Sequence, residues 1–538
     1  MSRNDGVKIV LTASETEISD FKNNPFIAFT GSFSHYMPLW TSRTYLFPPP
    51  PVENRKAKWA PYGLRKIEAA LLQAGFKEED VITVIPDHLN KVIGPNTRVL
   101  AISSMDPLGL AYVSFTYSTL LGWGGIPENL HAFQKIFKTR TLRKYKPKVI
   151  VGGAGAWQIG AKARKILGID TVILGEADEI APEIFKKAVD GEALPPVVKP
   201  KRSPPVEKIP LIKNPSVHGI VEISRGCGRN CQFCAPTMRK RRDMPVERIV
   251  KEVEINASNG IDLVTLATED LFLYHYDRTT KFHPNALAVY NLIKSISEVP
   301  GVKSIQPAHI SLAPVVVDPE MISELSSIMN NYCRYHYKGE PIITAETGIE
   351  TGSSRLIGKY MRGKCLPFKP EEWQETVLQA YGILNDNNWT PLSTIIIGLP
   401  GETDDDAIKT LELIDEIFNY RSFLVPNLFA NLHECILRNE RRANFDGISD
   451  VQMEVFQRCW EYNIRLWKED WLGNHNRPIG FLTNLVTHLV FGGALLIRYR
   501  WGKGNLNKIR SELMQKVMGL KPIEKVSKAV KLIKSELK

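Results

Sequence analysis

Gly219-Ile-Val-Glu-Ile-Ser-Arg-Gly-Cys227-Gly-Arg-Asn-Cys231-Gln-Phe-Cys234-Ala-Pro236 joins an apolar, β-branched run to a C-x3-C-x2-C spacing, and no other stretch of the 538-residue chain constrains its chemistry so tightly. Ile220 to Ile223 reads as a strand that breaks at Gly226. The thiols therefore lie on a loop at the C-terminal end of a strand, where α/β proteins place reactive groups. Three thiolates on one short loop can hold three irons of a [4Fe-4S] cluster and leave the fourth open to a small chelating ligand. A disulfide reading fits poorly, because three close cysteines leave one over and the N-terminus has no secretory pattern. A structural zinc site, which normally adds a fourth Cys or His nearby, and a chance spacing are the alternatives.

The loop resembles the cluster loop of the radical S-adenosylmethionine (SAM) enzymes. That resemblance implies Cys227, Cys231 and Cys234 as iron ligands, Phe233 among the cofactor-binding residues, and SAM on the open iron, cleaved reductively to a 5′-deoxyadenosyl radical. Three further segments follow in the order such an enzyme requires. Asp262 to Ala267 reads as a second strand ending in Thr268-Glu269-Asp270; the resemblance implies Glu269 and Asp270 as contacts to the SAM amino group, although the family's Gly-Gly-Glu signature is absent. Pro341 to Ser353 resembles the pattern Glu-x-Gly-x-Glu-Ser-Gly-Ser, with Thr351 at one Ser position, and implies Glu346, Gly348, Glu350 and Ser353 around SAM. Leu392 to Thr403 resembles the strand-to-helix turn beside the adenine, at Gly398, with Glu402 and Thr403 opening a helix in capping style. Each segment alone would suit any α/β protein. The four in register cover roughly Val217 to Asn431.

Strand-like segments recur at His218, Leu263, Ser304, Ile342, Ser393 and Phe423, with helical stretches at Pro245–Ala257, Pro319–Met329, Pro370–Asn385 and Asp404–Phe418. Six β/α units imply a partial (β/α)6 TIM-like barrel with a lateral opening for a large substrate.

The first two hundred residues read as a separate α/β domain. Short buried strands at Arg98–Ser103, Pro147–Gly153 and Thr171–Leu174 alternate with helices such as Tyr62–Ala74 and Pro127–Lys138, which argues for a doubly wound parallel sheet. Asp106 after one strand, Gly152 and Gly153 after the next and Gly175 after the third resemble the cobalamin-binding domain of a large radical SAM subgroup. Glycines at strand ends let a backbone lie close to a flat cofactor. The Asp-x-His-x-x-Gly motif of cobalt-ligating domains is missing, since Pro107 and Leu108 follow Asp106. The resemblance therefore implies cobalamin without a protein His ligand, or a domain that has lost cobalamin and only shapes the site. Proline-rich Pro195–Pro210 reads as an extended connector. The expected domains are 1–205, the cobalamin-binding-like sheet; 206–438, the barrel; and 439–538, a helical basic region.

A hydrophobic content of 43% and a charged content of 24% exclude wholesale disorder. All seven cysteines lie at or after 227, which argues for a reducing, cytoplasmic setting. Cys333, Cys365, Cys435 and Cys459 are widely spaced and read as scattered thiols, with a second cluster as the alternative. From Trp471 to Lys538 there are thirteen Lys or Arg against three Glu, so +10 of the net +11 lies in the tail. Just before the densest basic stretch, apolar Pro478–Ile497 carries Asn484, His488 and a Gly pair, which make it a poor membrane span. The segment 471–538 suits an interfacial helix on the inner face of an anionic membrane, or a buried helix closing the barrel beside a solvated tail.

Three substrate classes follow. The first is a membrane lipid alkyl chain, by similarity of architecture to archaeal enzymes that cross-link or cyclise tetraether lipids. The second is a small molecule or protein methylated with cobalamin, and the third is RNA held by the basic tail. RNA methylthiolation is disfavoured because the N-terminal domain has no cysteine for that group's second cluster. A non-catalytic cluster-bearing scaffold is the remaining alternative. Every enzymatic reading requires a reducing electron-donor protein. Tyr274 and His275, after the second strand, and His309, ending the third, are the candidates for direct substrate work.

Overall fold

The computed structural model describes residues 5–21, 25–32, 44, 46–120, 126–236 and 239–473. The apolar and basic segment from 474 onward, and with it the expected membrane contact, lies outside the described residues. The chain divides into two compact units, with the break between Ile220 and Val221.

In the first unit six strands form one parallel sheet: β1 (Ile9–Ala13), β2 (Val81–Thr83), β3 (Val99–Ser103), β4 (Lys148–Gly152), β5 (Thr171–Ile173) and β6 (Val197–Val198), in the spatial order β2-β1-β3-β4-β5-β6. Because side chains alternate along a strand, β1 sends Val10 to one face and Ile9, Leu11 and Ala13 to the other. Leu100 and Ile102 of β3 share Val10's face, and Val99 and Ala101 share the opposite one. Both faces are apolar, so both must be covered. Helices α1 (Tyr62–Gln73) and α5 (Ala181–Val189) cover one through Leu64, Leu71, Ile184 and Phe185; α3 (Glu128–Ile136) and α4 (Ala161–Leu167) cover the other through Leu130, Phe133, Ile136 and Ala163. α2 (Tyr112–Leu120) follows the loop after β3. This is the doubly wound sheet expected, and its strand order reverses between β1 and β3.

The proline-rich connector is tied to this unit at its far end. Buried Arg65 donates to the Pro215 carbonyl at 2.9 Å and pairs with Glu68, while Lys66 donates to the Pro210 carbonyl at 2.6 Å. The residues from 206 to 220 therefore group with the sheet rather than with the barrel that follows.

The second unit repeats β/α six times. Its strands are β7 (Ile220–Glu222), β8 (Leu263–Ala267), β9 (Ser304–Pro307), β10 (Glu340–Glu350), β11 (Trp389–Ile397) and β12 (Phe423–Leu428). Helices α6 (Val246–Ser258), α7 (Ala286–Ser297), α8 (Pro319–Met329), α9 (Ser354–Tyr360), α10 (Trp373–Asp386) and α11 (Asp404–Glu416) separate them. The first three strands form one sheet and the last three are neighbours in another. A single parallel bridge, His309 to Glu346, joins the two into one run of six in chain order. Below that bridge the Gln306 side chain donates to the Thr344 carbonyl and accepts from Thr344 Oγ1, standing in for the missing main-chain rungs. The wall's last strand does not end bare. Asn463 of α12 (Asp450–Gly473) accepts from Leu424 N at 2.8 Å and donates to Leu424 O at 2.7 Å, occupying an edge that would otherwise invite another strand.

Phe133, with no exposed surface, fills one side of the first sheet. Phe133→Ala is expected to lower stability by about 3–5 kcal/mol, read as a shift of the first-unit transition in a urea titration of the full chain followed by far-UV circular dichroism.

Candidate active site

The three cysteines sit where the first barrel strand ends. The loop needs repeated left-handed backbone: Gly226 has φ +77°, Gly228 +85° and Asn230 +59°, the residue types that tolerate it. A Cβ on Gly226 would lie 2.5 Å from the Arg239 carbonyl oxygen. Cys227 and Cys231 are buried, Cys234 is half-buried, and none of the seven cysteines forms a disulfide.

The loop is braced from several sides. Gln232 N donates to Tyr360 O at 2.8 Å and its side chain to Lys359 O, both on α9, while Leu437 N donates to Gln232 O. Arg229, between the first two cysteines, pairs with Asp270 at 3.0 Å; both side chains are almost wholly buried. Its other nitrogen donates to the Gly363 carbonyl at 2.8 Å, and its guanidinium lies 4.7 Å from the centre of the Phe282 ring. Gly363 is obligatory there, since a Cβ would fall 1.8 Å from Arg229 O. The same short helical turn, Arg362–Cys365, carries Lys364, whose ammonium is 3.1 Å from Glu350 and 3.0 Å from Gly348 O. Two buried cations therefore flank the thiols, each matched to one carboxylate. Burial pushes the Cys231 thiol up to about 12, with Lys364 acting against it.

These residues fit a [4Fe-4S] cluster held by three cysteines. The loop supplies three thiols, no fourth Cys or His converges on them, and among the described residues no three Cys, His, Asp or Glu side chains close on a single ion. A cubane takes one thiolate per iron rather than three on one metal. Cys333, Cys365, Cys435 and Cys459 sit singly on different elements; the first three donate to carbonyls close by in sequence, and Cys459 has no exposed surface.

The other expected residues divide into two groups. Glu269, Glu346, Gly348 and Glu350 gather at the C-terminal ends of β8 and β10. Glu269 makes no hydrogen bond among the described residues and acts on His309 through its charge. Glu346 pairs with His309 at 3.0 Å. Gly348 is required by its neighbours, for a Cβ would meet Glu350 Oε1 at 1.9 Å and Lys364 Nζ at 2.6 Å. Glu350, at φ +66° on a bulge of β10, also accepts from Thr394 Oγ1 at 3.0 Å.

The second group braces the frame. Asp270 holds Arg229 and accepts from Ser311 through Oδ2, which supports the cysteine loop, while its buried Oδ1 has no hydrogen-bond partner among the described residues. Ser353 caps α9 and donates to Asp406 at 2.5 Å. Gly398, at φ +80°, donates to Glu402, and a Cβ there would strike Ala443 at 2.5 Å. Tyr274, expected to work on the substrate, has no exposed surface and donates to the Met244 carbonyl at 2.6 Å, because the turn after β8 folds it inward. His275, at φ +50°, is exposed and packs edge-on to Tyr274 at 4.5 Å. Phe233 is buried beside the thiols it separates. Arg229, Gly363 and Lys364 were not among the expected site residues. The signal for Arg229 is a cation between two cysteines, but Lys364 and Gly363 lie 133 and 132 positions beyond Cys231 and carry no local pattern.

In the first unit Asp106 accepts from Leu110 N, Ala111 N and Gln158 Nε2 at 2.9, 3.1 and 2.7 Å, so it fixes the loop after β3. Gly153, at φ +99°, allows Ser104 to approach: a Cβ would sit 2.5 Å from Ser104 O. Gly152 and Gly175 leave ordinary clearance or more, and Leu108, just where the absent His would stand, is buried in the core.

Residues 221–414 match the family model of the Radical SAM superfamily. The tRNA-2-methylthio-N(6)-dimethylallyladenosine synthase of Caldicellulosiruptor saccharolyticus is 24% identical over 285 residues, 52% of this chain and 56% of that one. The ribosomal protein uS12 methylthiotransferase RimO of Cytophaga hutchinsonii is 27% identical over 208 residues, 38% of this chain and 42% of that one. The chain thus spans about half the length of these curated relatives. Among solved structures, the radical S-adenosylmethionine methyltransferase TsrM from Kitasatospora setae, with cobalamin and a [4Fe-4S] cluster bound, has a similar fold, with a TM-score of 0.56 at 12% identity over 95% of this chain and 99% of that one. The same protein with tryptophan and a SAM analogue bound matches at a TM-score of 0.52 and 14% identity, over 79% and 74%. Residues 221–414 thus carry a radical SAM domain, whose chemistry requires a [4Fe-4S] cluster and SAM.

Two outcomes follow from the geometry. Gly363→Ala should reduce bound iron and sulfide per chain to less than about a tenth of the wild-type content after anaerobic reconstitution, while far-UV circular dichroism is preserved. His309 has 42% of its side chain exposed, yet burial still pushes its imidazole down; Glu346 overrides this and raises it to about 9. The pair therefore adds stability that is complete below the usual imidazole range and is lost as pH rises through about 9. In Glu346→Gln the His309 ring should titrate at lower pH than in wild type, with Glu269 and the Thr268 backbone still holding it up in part, measured by NMR of the imidazole C2 proton.

Proposed function

We propose that this chain is a cobalamin-dependent radical SAM methyltransferase acting on a small molecule or a protein. The observation that carries the reading is the pairing of a doubly wound sheet that lacks the cobalt-ligating His motif with a three-cysteine partial barrel in one chain, the arrangement whose fold resembles TsrM along nearly its whole length. When bound, the cluster supplies an electron to SAM and cobalamin supplies a carrier for a methyl group. The chain's own residues then do the rest. The loop from Cys227 to Cys234 offers three thiolates, and Arg229 and Asp270 hold that loop to the end of β8. Glu269 is placed to accept from an ammonium, and Glu346, steadied by His309, from a hydroxyl. Lys364 shields the added negative charge of a thiolate-rich site. Low-potential chemistry of this kind also needs a reductant protein.

A second reading, modification of RNA, draws on the names of the curated relatives and on the +10 tail. The cysteine-free first 226 residues count against methylthio transfer. Abstraction from a lipid chain has less support: neither the relatives nor the structures named above carry a lipid in their descriptions, and the tail that suggested it lies outside the described residues. Among the described residues no helix is long and apolar enough to cross a membrane.

SAM labelled in its methyl group, added to reconstituted protein with whole-cell extract, should place label in a small molecule or protein only when cobalamin is supplied. Label in RNA, or label transfer that ignores cobalamin, would sink the reading. Cys227→Ala, Cys231→Ala and Cys234→Ala should each lower transfer below detection, and Cys333→Ala should leave it within about twofold of wild type.

A further inference from the structure

The strand order of the first sheet reverses between β1 and β3, and in open α/β sheets the crevice beyond the carboxyl ends of such a pair receives the ligand. Two side chains there are not accounted for by the fold. Glu17 follows β1 on the short turn Glu15–Ile18; its Oε1 accepts from Met105 N at 2.9 Å and from Ser104 Oγ at 3.2 Å, both just after β3. Its Oε2 is buried and, apart from a weak approach by Asp106 N, has no hydrogen-bond partner among the described residues. An unsatisfied buried acceptor is costly and calls for a ligand or a compensating role. Met105 is the second. Its side chain is 68% exposed although its backbone is among the most tightly held in the unit. Gly155 packs so closely that a Cβ would lie 2.1 Å from Met105 O, and Asp106 and Gln158 pin the residues that follow. A rigid loop that presents a bare thioether chain to solvent is a preformed apolar contact.

The surrounding charges decide the class of ligand. Helix starts at this place in nucleotide-binding folds usually receive phosphate. Here the turn after β1 carries Glu15 and Glu17, and Asp106 lies near Glu17; Lys135 is already paired with Glu15 at 2.5 Å. A phosphate would meet like charge. Burial raises the Glu17 carboxyl to about 7, so near neutrality it is present both as acid and as carboxylate. A carboxamide, which both donates and accepts, satisfies Oε2 in either state.

We propose that Glu17 and Met105 form the ligand platform of the N-terminal sheet, selecting a ring that offers carboxamide arms beside an apolar face and keeping any phosphate away from the turn after β1. On the function proposed above, that ligand is the corrin of cobalamin, with Glu17 taking an amide arm and Met105 lying under the ring.

The test is equilibrium binding of hydroxocobalamin to the full chain, followed by absorbance, with flavin mononucleotide as the phosphate-bearing competitor. Glu17→Ala and Met105→Lys should each weaken binding by about tenfold or more, the size of one lost buried hydrogen bond or apolar contact. Glu17→Gln, which restores a donor and an acceptor, should stay within about threefold of wild type and shows that the turn still folds. Met105 is exposed, so its replacement does not disturb the core. If wild type binds cobalamin and both Glu17→Ala and Met105→Lys bind it equally well, or if flavin mononucleotide displaces it, the platform is wrong while the cobalamin reading stands. If wild type binds no cobalamin, the functional reading falls and the platform with it.

Discussion

The buried pair between Arg229 and Asp270 is the constraint around which the barrel's mouth is arranged. Two charges removed from water are costly unless each finds a partner and its remaining hydrogen bonds are met. Arg229 meets this with Asp270, the Gly363 carbonyl and the Phe282 ring. Each partner comes from a different element: the end of β8, the turn after α9, and the loop before α7. Removing one leaves a guanidinium in the interior, so the elements are obliged to assemble together. The cysteine loop, which has little apolar surface of its own, is positioned as a by-product of satisfying a charge.

The same logic distinguishes the two units. In the first, stability comes from alternating apolar side chains on both faces of a sheet, and buried charges such as Arg65 and Glu68 are paired with each other. In the second, the strand ends carry Glu269, Glu346 and Glu350 close together, and the fold tolerates them by supplying His309 and Lys364. Like charges at one end of a wall are a liability for folding and an asset for holding a cation-bearing substrate. That Glu269 makes no hydrogen bond among the described residues is where this compromise shows most plainly.

Much of this was legible in the residues. The apolar runs that end at Gly226 and at Thr268-Glu269-Asp270 locate two strands; Pro319–Met329 matches its helix to the residue because Asp318 caps it and proline opens it. The thiol spacing is local and therefore readable. What the sequence could not convey is which polar groups at strand ends are spent on the frame. Asp270, Ser353 and Tyr274 all follow strands, and each also bonds a partner distant in the chain that no local pattern announces: Arg229, Asp406 or Met244. Lys364 reaches the thiols only through the docking of Gly363, a contact decided by the absence of a Cβ. Burial separates these cases, and burial is a property of the assembled chain.

The seam between β9 and β10 has a mechanical meaning. Most of the wall is laced by main-chain bonds, which open only if a strand peels away. At this seam the lacing is one bridge, the Gln306 amide and the His309–Glu346 contact. Side chains release by rotating about their own bonds, without disturbing the backbone. The wall thus contains a line, directly beside the carboxylates at its rim, where only the two main-chain bonds of Glu346 to Ala308 and Ile310 remain once those side chains rotate away, far fewer than lace β10 to β11.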